Sequence, residues 1–160
     1  MNAPESTPSL HEAAQRAYDY YVGLLYKGEL KPEDEAQYNH LREKEKAGEI
    51  QPSSERRVIT DEEALATLVR AQEGQESTAR FDLWIDQLQL ETDKTPGGLG
   101  RIECAIRRAS VYYRAGFKDK AIGDLEDTQR AALCEPEKPA DLDQKIASLL
   151  DRMRADQSIV

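Results

Sequence analysis

RIECAIRRASVYYRAGFKDKAIGDLEDTQRAALCEP, residues 101–136, decides the fold. Ile102, Ala105, Ile106, Ala109, Tyr112 and Tyr113 recur at steps of three and four, which places them on one side of a helix. Gly116 stands just past the last periodic residue, where a left-handed cap is needed, and Arg114 suits the negative end of the helix dipole. The spacing resumes with Ala121, Ile122, Leu125, Ala132 and Leu133 until Pro136 stops it. A connection of about three residues makes the two helices antiparallel neighbours. Ala105, Ala109 and Ala121 let their backbones approach closely.

Outward from this hairpin the chain repeats the same device. Towards the C-terminus, Leu142, Ile146, Leu149, Leu150 and Met153 form the apolar side of a last helix that covers the open end. Towards the N-terminus, Phe81, Trp84, Ile85 and Leu88 share a face, with Ser77 or Thr78 as cap, and the sole tryptophan is expected to anchor the core. Before it, Thr60 and Glu63 make a capping box for a helix carrying Leu65, Leu68 and Val69 and ending at Gly74. Residues 49–59 combine proline, serines and Arg56-Arg57 without periodicity and read as a linker. Pro32 at a first helical position opens a charged helix with few apolar residues, Ala36, Tyr38, Leu41 and Ala47, closed by Gly48 and expected to be the most peripheral. The first helix runs over about 10–27 with Ser9 and Glu12 as capping box and Gly28 as stop. Its stripe begins at Leu10 and it holds four tyrosines, of which Tyr20 points off the core side and is a candidate contact residue.

The expected architecture is therefore all-α: about seven helices as stacked antiparallel hairpins. Residues 1–9 form a flexible lead, 10–48 an N-terminal hairpin, 49–59 the linker, and 60–160 a helical-hairpin body with a C-terminal capping helix. Pairing position n with n + 40 sets Ile106 on Ile146 and Phe81 on Ala121, a drifting self-similarity that suits stacked hairpins.

YYRAG, four residues, then AI resembles the turn of a tetratricopeptide (TPR) repeat. Tyr112, Gly116 and Ala121 match that family's helix-A tyrosine, turn glycine and helix-B alanine, and Ala109 its small-residue position. The chain departs from the pattern at Ala105, Arg108 and Thr128, and Pro136 comes about one turn late. The resemblance implies a concave groove lined by Glu103, Ile106, Arg107, Ser110, Tyr113 and Arg114. Arg107 and Arg114 are seven apart, lie along one face and suit a carboxylate or acidic peptide. The asparagines of the family's carboxylate clamp are missing, with Ser110 at one of their places.

Charge narrows the function. Residues 1–100 carry 20 acidic and 11 basic side chains, a balance of −9, whereas residues 101–160 carry 11 of each, so the whole net charge of −9 belongs to the front. A negative surface repels phosphates, so direct nucleic-acid binding is not expected. No apolar run reaches the length of a membrane span, and the opening residues lack a signal peptide's basic and hydrophobic regions. Cys104 and Cys134 fall more than a turn apart in the hairpin and read as free, buried or half-buried thiols, as in the cytoplasm.

No residue pattern carries catalysis. His11 and His40 lack partners at catalytic or metal spacing, Asp82 and Asp86 lack the Glu-x-x-His of di-metal helical sites, and Cys104 has no base beside it. GGLGR at 97–101 matches neither nucleotide fingerprint and no strand precedes it. Neither enzyme activity nor a cofactor or metal is expected. The expected function is protein–protein interaction, as an adaptor, chaperone-like or regulatory module, through Arg107, Ser110, Tyr113, Arg114 and Tyr20. The alternatives are a small acidic inhibitor of a basic partner, mimicking nucleic-acid charge from Glu33–Glu35 and Asp61–Glu63, and a structural subunit that self-associates.

Overall fold

The computed structural model describes residues 9–94 and 98–159, and among them every regular element is helical. The expected flexible lead, up to residue 8, and residues 95–97, which include the first glycine of GGLGR, lie outside the described residues. The helices are α1 (Leu10–Lys27), α2 (Glu35–Lys46), α3 (Asp61–Gln72), α4 (Ala79–Thr92), α5 (Leu99–Arg114), α6 (Lys118–Leu133) and α7 (Leu142–Arg154). Each consecutive pair from α3 to α7 packs together, as do α1 with α2, so the chain builds a bundle of neighbouring helices.

Local chemistry sets most of the ends. Ser9 accepts from the Glu12 N–H, Thr60 and Glu63 complete a reciprocal capping box, and Gly28 takes φ 75° past α1. Pro32 opens a 3-10 turn over Pro32–Asp34, and the α-helix begins only at Glu35. The apolar stripes fray where neighbours run out: Leu10 and Leu133, placed on them by spacing, stand exposed. Tyr38 and Leu41 are buried, so α2 is anchored by two large side chains although its composition is polar.

Residues 49–59 carry no helix and are tied down at both ends. Ile50 and Ile59 are buried. The Gln51 N–H donates to Gln15 Oε1 at 2.7 Å and Gln15 Nε2 returns a bond to the Gln51 carbonyl at 3.0 Å. Gln87 of α4 repeats this at the other end, accepting from the Ile59 N–H at 2.8 Å and donating to the Arg57 carbonyl at 2.8 Å. Two amide side chains thus satisfy a backbone that has no helix or sheet of its own. Between them the segment passes so close to Gly23 that a Cβ there would stand 2.9 Å from Glu55 Oε2.

The interior has two parts. Trp84, Phe81, Leu88, Leu25, Leu30, Tyr18 and Tyr38 centre a front core to which α1, α2, the 49–59 segment, α3 and α4 contribute. Leu125, Ile146, Leu150 and Met153 centre a rear core between α5, α6 and α7. α5 belongs to both: Cys104, Val111 and Ala115 close the front one, and Ile102, Ile106 and Ala109 the rear one. No helix among the described residues is long and apolar enough to cross a membrane.

Candidate functional site

The first turn of α3 offers three carboxylates, which the positive end of its dipole favours. Two arginines of α5 and one of the 49–59 segment meet them. Arg107 Nη2 lies 2.7 Å from Asp61 Oδ1, and Trp84 Nε1 donates to the same oxygen at 3.1 Å. Arg114 grips Glu62 with both terminal nitrogens, at 2.8 and 3.0 Å. Arg57 does the same to Glu63 at 2.6 and 2.7 Å and holds its carboxyl down to about 2 against the opposing effect of partial burial. The two α5 arginines read as peptide-binding charges and the acidic cluster read as a mimic surface therefore face each other inside the chain.

The other expected contact residues are scattered. Ser110 donates back to the Ile106 carbonyl at 2.8 Å, and the Tyr113 hydroxyl donates to the Gln157 carbonyl at 2.7 Å, tying the C-terminal segment to α5. Tyr20 is 60% exposed, beside the Tyr21 ring at 5.6 Å, as its off-stripe position implied. Of the two free thiols Cys104 is buried, whereas Cys134 is exposed because it lies past the end of α6. His40 also lies on the exposed side of α2.

Beneath the α3 turn lies a buried ionic cluster. Arg80 donates through Nε to Thr67 Oγ1 at 2.8 Å and through Nη1 to the Tyr26 carbonyl at 3.2 Å, and reaches Glu63 Oε2 at 3.3 Å. Its second partner, Glu76, is buried; Oε2 accepts from Thr67 at 2.9 Å, while Oε1 has no hydrogen bond among the described residues. Burial pushes the Glu76 carboxyl up, against the hydrogen bond from Thr67 and the charges of Arg80 and Arg70. One arginine thereby joins the end of α1 to α3 and α4.

The concavity suited to a ligand is elsewhere. A cleft of about 700 Å³ opens between α1, α2, residues 56–58 and α4. Tyr18, Val22, Leu25 and Tyr26 of α1 with Tyr38 of α2 make its floor, Leu83 its α4 wall, and Val58 and Leu90 its mouth. The three tyrosines are buried, and Tyr18 stacks on Tyr38 with centroids 6.4 Å apart. Burial pushes the Tyr18 phenol up, and the neighbouring Arg56 opposes that shift. Among the described residues no group hydrogen-bonds the hydroxyl of Tyr26 or Tyr38, although both side chains are more than nine-tenths buried. Burial pushes the Tyr38 phenol up to about 12, so it stays a donor at physiological pH. Arg42 Nη2 reaches Asp86 Oδ2 at 2.8 Å, joining the α2 and α4 sides.

Sequence reading missed this cleft because its walls come from positions up to 75 residues apart. A partial signal existed: Tyr18, Tyr21 and Tyr26 crowd one helix, and Tyr38 is the single large ring on a polar one. Comparisons with protein-family models, curated proteins and solved structures give no match for this chain.

Proposed function

We propose that this protein is an interaction module, an adaptor or regulatory subunit, that receives a segment of a partner protein in the tyrosine-lined cleft. The observation that carries the proposal is the pairing of an apolar floor holding two unbonded phenols with exposed apolar residues at the mouth: Val58 is 73% and Leu90 68% exposed. Interfaces concentrate tyrosine and arginine at their centre, and both are concentrated here. Two unpaired thiols suit a reducing compartment such as the cytoplasm. The α5–α6 hairpin, with Gly116 at φ 99° in its turn, is in keeping with a TPR-like relationship, which forms part of the proposal.

Arg107 and Arg114 contribute to this function by holding α3 on α5 rather than by touching the partner. Of the two clusters named for the acidic-antagonist alternative, Asp61, Glu62 and Glu63 are each engaged by an arginine. The test is selection from a displayed library of helical and extended peptides. Binders of the wild-type protein should lose about tenfold or more in affinity on Leu90→Asp and on Val58→Asp, and keep it on Arg107→Gln/Arg114→Gln. Loss on the arginine variant alone moves the site to the α5 strip, and a library that yields no binder refutes the module.

A further inference from the structure

The lips of the cleft differ in charge, and the difference is built into which member of an ion pair faces the cleft. On the side formed by the end of α2 and residues 56–57, the cations are outermost. The Arg56 side chain is 56% exposed while its partner Glu45 is 10% exposed, and Arg57 is 45% exposed against 25% for Glu63. Lys46 lines the same lip, and its partner Glu43, although more exposed at 71% against 54%, does not line the cleft. On the α4 side the order is reversed, with Asp86 more exposed than Arg42, and Asp93 beyond it. A ligand in the cleft therefore meets three cations along one lip of a protein whose first 100 residues balance to −9.

Two further features specify the occupant. Val58 and Leu90 stand at the mouth and largely in water, so a molecule small enough to fit wholly within the cleft would leave both uncovered. The described residues form no strand and hence no sheet edge, so an extended peptide would bring backbone N–H and C=O groups into an apolar floor with no ladder to satisfy them. A helix satisfies its own backbone and can lay an apolar ridge along the floor.

We infer that the cleft takes an amphipathic helix of a partner protein whose apolar ridge is flanked by carboxylates, which pair with Lys46, Arg56 and Arg57. It rests on the cleft being a protein-binding site and adds the chemistry of what binds there. At physiological ionic strength charges are screened beyond about 8 Å, so the local lip, and not the distant acidic surface, sets the preference.

The experiment uses the full chain and two sets of labelled helical peptides with randomised apolar ridges, one with glutamates and one with lysines at the flanking positions, read by fluorescence anisotropy. The best glutamate-flanked peptides should bind about tenfold tighter than the best lysine-flanked ones, with an affinity that falls as salt rises. Lys46→Glu/Arg56→Gln should erase or invert that order while far-UV circular dichroism stays unchanged; Leu90→Asp should weaken both sets. A preference for lysine flanks, or equal affinities without salt dependence, overturns the acidic-helix assignment while leaving the cleft as a binding site. Failure of every peptide overturns the cleft itself. Light scattering that shows a dimer dissociated by Leu90→Asp would instead put a second copy of this chain in the cleft.

Discussion

Gly28 carries two demands at once. Its φ of 75° lies where a Cβ is strained, and the space beside it is taken: an added Cβ would meet Arg80 Nη2 at 2.8 Å. Arg80 has little freedom to retreat, since Thr67, Glu63 and the Tyr26 carbonyl hold it. Gly28→Ala is expected to cost about 1–3 kcal/mol from backbone strain with a further loss from displacing the guanidinium. Gly48 provides the control, because its φ is 77° and nothing lies within 4 Å of its Cβ position. Urea unfolding should show a larger loss for Gly28→Ala than for Gly48→Ala; equal losses would mean that Arg80 moves aside freely. The stop at Gly28 was legible in the sequence, because a glycine after an amphipathic run is a local signal. Arg80 beneath it was not, since burial of a charge depends on which carbonyls and carboxylates arrive from other helices. A faint trace existed, as Arg80 lies four residues before Trp84 and so on the face of α4 that the tryptophan turns inward.

At the scale of elements, arginines rather than apolar stripes settle how α3 meets its neighbours. Replacing Arg80 by Met leaves Glu76 buried beside a more distant Arg70, 3.7 Å away, and should destabilise the protein by about 3 kcal/mol. Because Glu76 is costly only while ionised and uncompensated, Arg80→Met/Glu76→Gln should lose less than Arg80→Met alone, and a double-mutant cycle by urea unfolding would read the coupling. Additive losses would show that the two side chains act independently. Glu63 supplies a pH dependence with a definite sign. Its carboxyl titrates near 2 in the folded protein against an ordinary 4.5, so its contribution is complete above about 4.5 and is lost as pH falls towards 2. The stability gap between wild type and Glu63→Gln should therefore narrow across that window, and a gap constant in pH would contradict the pairing with Arg57. Helix positions, the Thr60–Glu63 box and the burial of Ile106, Leu125 and Trp84 were all readable from local spacing. What Arg107 and Arg114 face was not: their partners lie 46 and 52 residues away, and spacing along one helix says nothing of what packs against it. The cleft is hidden for the same reason, its floor being α1 and α2 and its far wall α4.

For the molecule as a whole, α5 makes one folding unit of two cores. Its rear face, Ile102, Ile106 and Ala109, is the stripe that spacing revealed; the front face, Cys104, Val111 and Ala115, is made of small or medium residues set among arginines and gives no periodic signal. A helix of 16 residues is marginal alone, so α5 depends on α6 and α7 to cover the rear face. The front core in turn depends on α5 through Val111 and through Arg107, whose partner Asp61 also accepts the Trp84 indole N–H. Damage to the rear should reach the front by that route. Leu125 is fully buried in the rear core, and Leu125→Ala should cost about 2–5 kcal/mol. Trp84, the sole tryptophan, reports on the front core by fluorescence, while far-UV circular dichroism reports on all helices. In urea the two signals should shift together and share one midpoint in the variant as in the wild type, the mark of a single cooperative transition. If Trp84 keeps the wild-type midpoint while part of the helical signal is lost earlier, α5 does not transmit stability between the cores, and a partner bound in the front cleft would leave the stability of α6 and α7 unchanged.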